Sequence, residues 1–362
     1  MYDSFDYKSS DANIIFKKPT EKEEDFFSHQ NASNENPAYR VFDFAITIGL
    51  SQKKKEKNRH HCQHCLSLLL FVSFFFTRYN SIMPTAPISP TLLVAPSKAE
   101  LPPILCDSIV QLASKAISDR GIFSIALSGG SLPKFLGKLP DAFEKEGLDP
   151  KWDSWHVFLA DERCVPLEDD DSNLKSIVTH FLDKVGIPKS QIYGIDAELT
   201  NKLETESSLE EKETITAAIA SNYEKVLRGV LRQGSLDLAV LGFGPDGHTC
   251  SLFPGHPLLQ EFDSFVASIV DSPKPPPYRI TLTLGFLNER TDHIIVCGAG
   301  SSKQPIIQAV FDFEKDGTKE KAETCQTLHP KLVSPPPYPC SMVKPKQSLT
   351  WVVDADAMAG EK

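Results

Sequence analysis

The sequence is poor in basic residues. Its 38 lysines and arginines are outnumbered by 48 aspartates and glutamates, which gives a formal net charge of −10. Proteins that bind nucleic acids carry a basic surface, so this balance argues against a nucleic-acid partner. An anionic substrate would need a local cluster of lysines and arginines. With 41% hydrophobic and 24% charged residues, the composition is that of a globular protein with a sizeable core.

Cysteines are also sparse, and of the eight only Cys62 and Cys65 lie close together in the sequence. This pattern argues against a disulfide framework and predicts reduced thiols and a cytoplasmic location. The surrounding segment HHCQHC could bind zinc, but no second pair of cysteines or histidines stands at zinc-finger spacing. We therefore predict no metal site.

No hydrophobic run stands out as long enough to span a bilayer. The run CLSLLLFVSFFF falls short of the roughly 20 residues required, and it begins too far from the N-terminus for an ordinary signal peptide. Asp3, Asp6 and Asp11 argue against a transit peptide, which is poor in acidic residues. We predict that residues 1–82 are a disordered leader that the working protein need not contain, because Met83 opens the proline-rich stretch MPTAPISPTLLVAP. Membrane association through the apolar run is the alternative.

Two common phosphate-binding fingerprints are missing. The segment GGSLPKFLG lacks the G-x-G-x-x-G pattern of dinucleotide-binding proteins, and no Gly-Lys-Ser/Thr of a P-loop follows it. The glycines of SGGS, residues 128–131, still let the backbone approach a ligand, and N–H groups at a helix start can face an anion. The alternative is a tight turn that binds nothing.

From about residue 98, strand patterns alternate with helix patterns. The predicted strands have the sequences IFSIAL, WHVFLA, LDLAVLGFG, RITLTL, HIIVC and SLTWVVD. A helix is predicted to begin at Ser172 and end at Gly186. The strand RITLTL is expected to lead into a polar turn. Residues 197–214 are predicted to form an acidic loop or the start of a helix. Continuous apolar strands alternating with helices predict an α/β fold with a doubly wound, mostly parallel sheet and helices on both faces.

Polar clusters follow four of these strands. SGGS follows FSIAL, DER follows VFLA, GPDGH follows AVLGF, and GAGSSK follows HIIVC. The carboxyl ends of parallel strands lie at one edge of a sheet, where ligands bind. The sequence therefore predicts one site that draws residues from four strands.

The cluster GPDGH places a carboxylate two residues from an imidazole. His248 titrates near neutral pH and is a suitable general base, and Asp246 could orient it or a water molecule. The alternative is a structural histidine held by backbone hydrogen bonds.

Cations stand in the other clusters. Arg163, next to Asp161 and Glu162, is always protonated and suits stabilisation of a developing oxyanion. Lys303 and Arg279 could supply further positive charge to a ligand. Solvated surface positions are the alternative for both.

These motifs together resemble one enzyme family. ALSGGSLPKFL, LADERCVPLEDDDSN, LAVLGFGPDGHTCSLFPG, PPYRITLTLGFLN, GAGSSK and the closing WVVD are similar in order and spacing to 6-phosphogluconolactonases, over roughly residues 95 to 356. The related glucosamine-6-phosphate deaminases share SGGS, but they carry Asp-Glu-Tyr in place of residues 161–163 and Asn-Glu-Pro-Gly in place of LFPG. At both positions this sequence differs from the deaminases, and both differences favour the lactonase.

The resemblance implies a Rossmann-like catalytic domain at 83–362 that acts on a small-molecule phosphosugar lactone without a metal or organic cofactor. It implies hydrolysis of 6-phospho-D-glucono-1,5-lactone to 6-phosphogluconate, the second oxidative step of the pentose phosphate pathway. The implied catalytic residues are His248 as base, Asp246 as its supporting carboxylate and Arg163 facing the carbonyl oxygen. The implied substrate contacts are Ser128, Gly129, Gly130, Ser131, Asp161, Arg279 and Lys303. The segments 197–214 and 312–341 are longer than is usual for the family, and each is expected to form a lid or inert surface.

Other functions remain open at this point. A phosphosugar isomerase or deaminase could use the same scaffold, with Asp161 moving a proton beside a carbonyl. A non-catalytic module could bind a phosphosugar without turnover. A serine hydrolase is less well supported, because Ala126 stands where a nucleophile elbow has its first glycine.

Overall fold

The structure is a computed structural model that describes residues 7–9, 12–14, 88–231, 234–313 and 324–359. The chain divides into two compact units, residues 1–83 and 84–362, and each is described by itself. In the first unit, β1 (Tyr7–Ser9) and β2 (Ala12–Ile14) form an antiparallel pair. The remainder of the predicted leader, with HHCQHC and the apolar run, lies outside the described residues.

The second unit alternates strands and helices, as the sequence predicts. Its strands are β3 (Thr91–Ala95), β4 (Phe123–Leu127), β5 (Trp155–Leu159), β6 (Asp161–Arg163), β7 (Leu236–Gly242), β8 (Val266–Ile269), β9 (Arg279–Leu282), β10 (Thr291–Gly298), β11 (Phe311–Asp312), β12 (Gln326–Leu328), β13 (Lys331–Leu332) and β14 (Ser348–Asp354). Its α-helices are α1 (Leu101–Arg120), α2 (Leu132–Leu136), α3 (Leu139–Glu146), α4 (Asn173–His180), α5 (Ala197–Thr205), α6 (Leu209–Leu231), α7 (Leu284–Glu289), α8 (Gln304–Val310) and α9 (Ala355–Met358). Among the described residues, no helix is both long and apolar enough to cross a membrane.

A seven-stranded sheet in the order β12-β3-β14-β10-β7-β4-β5 forms the centre of this unit. All neighbours pair in parallel except β12, which runs antiparallel to β3. The mostly parallel sheet with helices confirms the predicted fold class. All five residues of β4 are buried, as are all but the last residue of β7, which explains why both strands read as continuous apolar runs.

The sheet changes winding direction between β4 and β7. From β4 the chain moves outward to β5, whereas from β7 it moves the other way, to β10 and then β14. Such a reversal opens a crevice at the carboxyl ends of the two adjacent strands, and ligands of α/β sheets bind there. SGGS follows β4 and GPDGH follows β7, so both clusters lie at this crevice.

A second, antiparallel sheet, β6-β9-β8, adds to this edge. Its register pairs Asp161 with Thr281 and Arg163 with Arg279. The cluster DER is therefore a short strand in its own right, and RITL lies outside the large sheet. Sequence patterns could not separate these strands from those of the main sheet, because partner choice is a tertiary property.

Several boundaries differ from the predictions. The helix capped by Ser172, whose hydroxyl accepts from the Lys175 N–H, ends at His180 rather than Gly186. The polar turn expected after RITLTL is helix α7, capped by Thr283. Residues 197–214 are mostly helical, forming α5 and the start of α6. Strand β3 was not predicted.

Candidate active site

The turn after β7 is built to project an aspartate and a histidine from the same side. The Gly244 N–H donates to the His248 carbonyl at 2.9 Å, and the Gly247 N–H donates to the Gly244 carbonyl at 3.0 Å. Gly247 has φ = +79°, a conformation that favours glycine. Thr249 fastens the turn to the strand, since its hydroxyl donates to the Gly242 carbonyl at 2.8 Å.

Asp246 and His248 form the pair that the sequence predicts. Oδ1 of Asp246 lies 2.5 Å from Nδ1 of His248. The side chain of His248 is 21% exposed, so its second nitrogen can reach a water molecule or a substrate. Phe253 stacks on the imidazole with ring centroids 5.0 Å apart and an interplanar angle of 29°, which fixes the plane of the ring.

The surroundings favour a neutral imidazole beside an ionised carboxylate. Burial lowers the pKa of His248 below its usual value of 6.5, and Asp246 only partly opposes this effect. Burial would raise the pKa of Asp246, but hydrogen bonds from His248 and Lys274 outweigh it and hold that pKa well below its usual range. A neutral histidine is the form that can accept a proton.

Lys274 is a site residue that the sequence analysis missed. Its Nζ lies 2.9 Å from Oδ2 of Asp246 and 3.0 Å from Nδ1 of His248. The lysine stands in the proline-rich loop between β8 and β9, where no hydrophobic period or glycine motif marks it. The only available signal was its presence in the rigid stretch PKPPPY before Arg279.

Arg279 organises the loop that carries Lys274. The residue is buried, with 3% exposure. Its Nε donates to the Pro276 carbonyl, and its Nη2 donates to the carbonyls of Lys274 and Pro275, each at 2.9 Å. A guanidinium engaged with three successive carbonyls has few donors left, so contact between Arg279 and a substrate stays a prediction.

Asp161 is joined to this network through Ser251. The Ser251 hydroxyl donates to Oδ2 of Asp161 at 2.9 Å, and Nη1 of Arg279 lies 3.4 Å from the same hydroxyl. Asp161 is buried and acts electrostatically on His248. It therefore lies within the cluster, as the sequence predicts.

The Glu162 carboxylate is a hydrogen-bond acceptor for backbone groups around the site. Its carboxylate is completely buried and accepts from the backbone N–H groups of Arg163, Asn173 and Leu174 and from the Ser172 hydroxyl. Burial raises the pKa of Glu162 to about 7, against the effect of the backbone hydrogen bonds. The carboxylate thus fixes the start of α4 to β6.

Arg163 stands next to Arg279 across the β6–β9 pair. Its Nη1 donates to the Asp171 carbonyl at 2.8 Å, while its buried Nε has no hydrogen-bond partner among the described residues. Burial lowers the pKa of Arg279, and the positive charge of Arg163 adds to that effect. Two adjacent guanidinium groups and an unpaired donor are features that favour anion binding.

Lys303 approaches the same cluster from the turn after β10. Its Nζ donates to the Phe243 carbonyl and lies 5.1 Å from the centre of the Phe243 ring. Burial lowers the pKa of Lys303, and Lys274 adds to the lowering. Asp354 at the end of β14 holds the turn, since its carboxylate accepts from the Gly300 N–H at 2.8 Å.

The SGGS turn lies beside α4. A β-carbon at Gly129 would overlap the Asn173 side chain, whose amide donates to the Asp161 carbonyl at 2.9 Å. Ser128 is buried, and its hydroxyl has no hydrogen-bond partner of good geometry among the described residues, although the Cys250 thiol lies close to it. Gly130 and Ser131 are exposed at the start of α2. Ser128 thus offers an unused hydroxyl at the crevice.

Part of the segment 312–341 contacts the turn after β7. The Cys340 N–H donates to the Gly247 carbonyl at 3.1 Å, and a β-carbon at Gly247 would overlap the Tyr338 ring. This end of the segment is therefore a buttress for the turn. Residues 314–323 lie outside the described residues.

Comparisons with known proteins show the family to which the chain belongs. Residues 96–351 match the sequence family described as glucosamine-6-phosphate isomerases/6-phosphogluconolactonase. Similar curated proteins include a "Probable 6-phosphogluconolactonase 3, chloroplastic" of Oryza sativa subsp. indica, 36% identical over 268 residues, which cover 74% of this chain and 75% of the relative. The "6-phosphogluconolactonase" of Rattus norvegicus is 34% identical over 278 residues, covering 75% of this chain and 94% of the relative.

Solved structures support the fold. The 6-phosphogluconolactonase from Trypanosoma brucei superposes with a TM-score of 0.58 at 24% identity, covering 75% of this chain and 98% of that one. The enzyme from Trypanosoma cruzi gives a TM-score of 0.58 at 23% identity, covering 75% and 97%. The matched sequence, the shared fold and the polar crevice lead to one conclusion: the chain belongs to the family of glucosamine-6-phosphate isomerases and 6-phosphogluconolactonases.

Proposed function

We propose that the protein hydrolyses 6-phospho-D-glucono-1,5-lactone to 6-phospho-D-gluconate at the crevice beyond β4 and β7. The observation that carries the proposal is the Asp246–His248 pair, with a partly buried imidazole whose surroundings favour the neutral form. The family membership and the names of the relatives support the substrate. The cations Arg163 and Lys303 supply the positive charge that an acidic protein needs for an anionic sugar phosphate.

The proposed reaction uses one water molecule and one base. His248 accepts a proton from water through Nε2 while the water oxygen attacks the lactone carbonyl carbon, with Nδ1–H directed at Asp246. Arg163 donates to the carbonyl oxygen as it becomes an oxyanion. When the bond from the carbonyl carbon to the ring oxygen breaks, the imidazolium returns its proton to that oxygen, which becomes a hydroxyl. The acid product then ionises.

The remaining predicted contacts have separate parts in this proposal. Ser128 and the turn 129–131 face the substrate, because the buried Ser128 hydroxyl has no other partner of good geometry among the described residues. Lys303 binds the same phosphosugar. Asp161 accepts from Ser251 and adds negative charge near the imidazole.

The test is a comparison of substrates. The purified protein is assayed on freshly prepared phosphogluconolactone, with 6-phosphogluconate measured through a coupled dehydrogenase and the spontaneous hydrolysis subtracted. In parallel it is assayed for ammonia release from glucosamine 6-phosphate. We expect lactone turnover and no ammonia. Ammonia release without lactone turnover would assign the chain to the isomerase branch, and binding of 6-phosphogluconate without either activity would make it a binding module.

We also propose that the protein acts in the cytoplasm. Cys106, Cys164, Cys250, Cys297, Cys325 and Cys340 are free thiols, which is consistent with a reducing compartment. Relatives in rice and Arabidopsis thaliana carry names that place them in the chloroplast. A fluorescent fusion of the full chain, imaged beside a plastid marker, separates the two locations.

A further inference from the structure

We propose that Lys274 is a positioning residue for the lactonase reaction, whose ammonium group anchors the Asp246 carboxylate and keeps the adjacent His248 imidazole in its neutral, proton-accepting form. The proposal rests on the function proposed above for this site. It assigns a role to a side chain that the sequence motifs of the family resemblance did not single out.

The first support is the geometry of three groups. Oδ1 of Asp246 lies 2.5 Å from Nδ1 of His248, and Oδ2 of the same carboxylate lies 2.9 Å from Nζ of Lys274. The two oxygens are thus divided between the imidazole and the ammonium. A carboxylate held at both oxygens cannot rotate away from the imidazole without losing a charge-assisted hydrogen bond.

The second support is charge. An aspartate next to a histidine stabilises the imidazolium, and an imidazolium cannot accept a proton. Nζ of Lys274 lies 3.0 Å from Nδ1 of His248. Because Nδ1–H is directed at Asp246, the ammonium acts on the imidazole through its charge and not as a hydrogen-bond donor, and that charge opposes imidazolium formation. The other charged groups acting on His248 are Asp246 of the same turn and Asp161 of β6, both of which favour imidazolium. Lys274 is therefore the cation that offsets them.

The third support is the rigidity of the loop that carries Lys274. Lysine side chains are flexible, and an exposed ion pair stabilises a protein by only about 0–1 kcal/mol. Here the backbone of Lys274 is held from two directions. Its carbonyl accepts from Nη2 of the buried Arg279 at 2.9 Å and from the Ser272 hydroxyl at 2.8 Å. The Lys274 side chain therefore extends from a fixed backbone position, and its ammonium lies close to Asp246.

The test compares Lys274→Met, which removes the charge, with Lys274→Arg, which keeps it. The matched control is Lys138→Met, since Lys138 forms an exposed ion pair with Asp141 at 3.0 Å. The first readout is the His248 titration, followed by NMR of the full chain labelled at histidine Cε1 and assigned with His248→Asn. We expect Lys274→Met to raise the pKa of His248 by about one unit. Lys274→Arg should keep this pKa close to its wild-type value, and Lys138→Met should leave the pKa unchanged.

The second readout is the pH dependence of lactone hydrolysis. The low-pH limb of kcat/KM should move to higher pH by a similar amount in Lys274→Met. A raised KM with an unshifted limb and an unshifted His248 titration would overturn the proposal and make Lys274 a direct substrate contact. Because the NMR titration needs no turnover, a protein that does not hydrolyse the lactone would refute the proposed function while the titration still decides whether Lys274 controls His248.

Discussion

The backbone of Gly244 lies directly against the side chain of His248. The Gly244 N–H donates to the His248 carbonyl at 2.9 Å, and a β-carbon at Gly244 would overlap Nδ1 of His248 and Oδ1 of Asp246. The glycine that begins the turn therefore leaves the space in which the two side chains meet. Glycine is required at position 244 because the side chains of His248 and Asp246 approach its backbone closely, and not because its backbone is left-handed.

Gly244→Ala should separate Asp246 from His248 and lower kcat by about 10²-fold or more, the scale for losing a general base. Gly229→Ala is the matched control, because a β-carbon there meets nothing within 4 Å and the residue lies within helix α6. The control should keep full activity and gain about 0.5–1 kcal/mol of stability. Steady-state kinetics and thermal unfolding of both variants check this, and full turnover by Gly244→Ala would contradict the close approach.

His248→Asn should lower kcat by roughly 10²-fold or more because the proton acceptor is lost. In the wild-type protein, burial lowers the pKa of His248 below 6.5. The lowered pKa favours the neutral imidazole at pH 7, and kcat/KM should fall only as the pH drops through that lowered pKa and the base becomes protonated. The pH profile, corrected for spontaneous lactone hydrolysis, should lose this limb in the variant. Retention of near wild-type turnover would move the search for the base to Asp161, Glu162 and Asp246.

Arg163→Lys should lower kcat by roughly 10²-fold, the lower end of the cost of losing one oxyanion donor. An ammonium cannot reproduce the planar set of donors that a guanidinium offers. Arg228→Lys serves as the control, since the half-exposed Arg228 pairs with the largely buried Glu224 within helix α6. If Arg163→Lys raises KM and leaves kcat intact, Arg163 binds the substrate and does not stabilise the oxyanion.

Ser128→Ala should raise KM and leave kcat close to that of the wild-type protein. The Ser128 hydroxyl is buried without a hydrogen-bond partner of good geometry, so no described imidazole or carboxylate is placed to activate it as a nucleophile. Loss of this hydroxyl should also cost little stability. Rapid-quench mass spectrometry of the wild-type protein should detect no acyl adduct, and an adduct on Ser128 would refute attack by water.

A chain that starts at Met83 should unfold cooperatively and retain kcat. Every candidate site residue lies between Ser128 and Lys303, inside the unit formed by residues 84–362. Calorimetry and the lactone assay of this shorter chain, measured beside the full chain, check the expectation. Non-cooperative melting of the shorter chain would show that the leader takes part in folding.

The parallel sheet and its polar edge could be predicted because their signals are local. Strands such as β4 and β7 are buried along nearly their whole length and read as apolar runs. Strand β3 was not predicted because it follows three closely spaced prolines, which are typical of an extended linker. Helix α7 was not predicted because it is short: it has only the six residues between Thr283 and Arg290.

The positions of site residues could be predicted where these residues follow the end of a strand. They could not be predicted where a long loop carries the residue to the site. Asp246 and His248 directly follow β7, so their proximity follows from two residues of spacing. Lys274 reaches them from a distant part of the chain through a loop fixed by Arg279. No local pattern encodes such a contact. The same limit applies to Cys340 and Tyr338, which brace the turn from the far end of a long connection.

Strand β14 completes the centre of the sheet late in the chain. It lies between β3 and β10 in the sheet, yet it follows every other described strand in the chain, and its Asp354 holds the turn before Lys303. Without residues 348–354, β10 has an open edge and β3 has no parallel neighbour. Open strand edges attract other chains. We therefore expect this sheet to be most prone to association with other chains before β14 inserts.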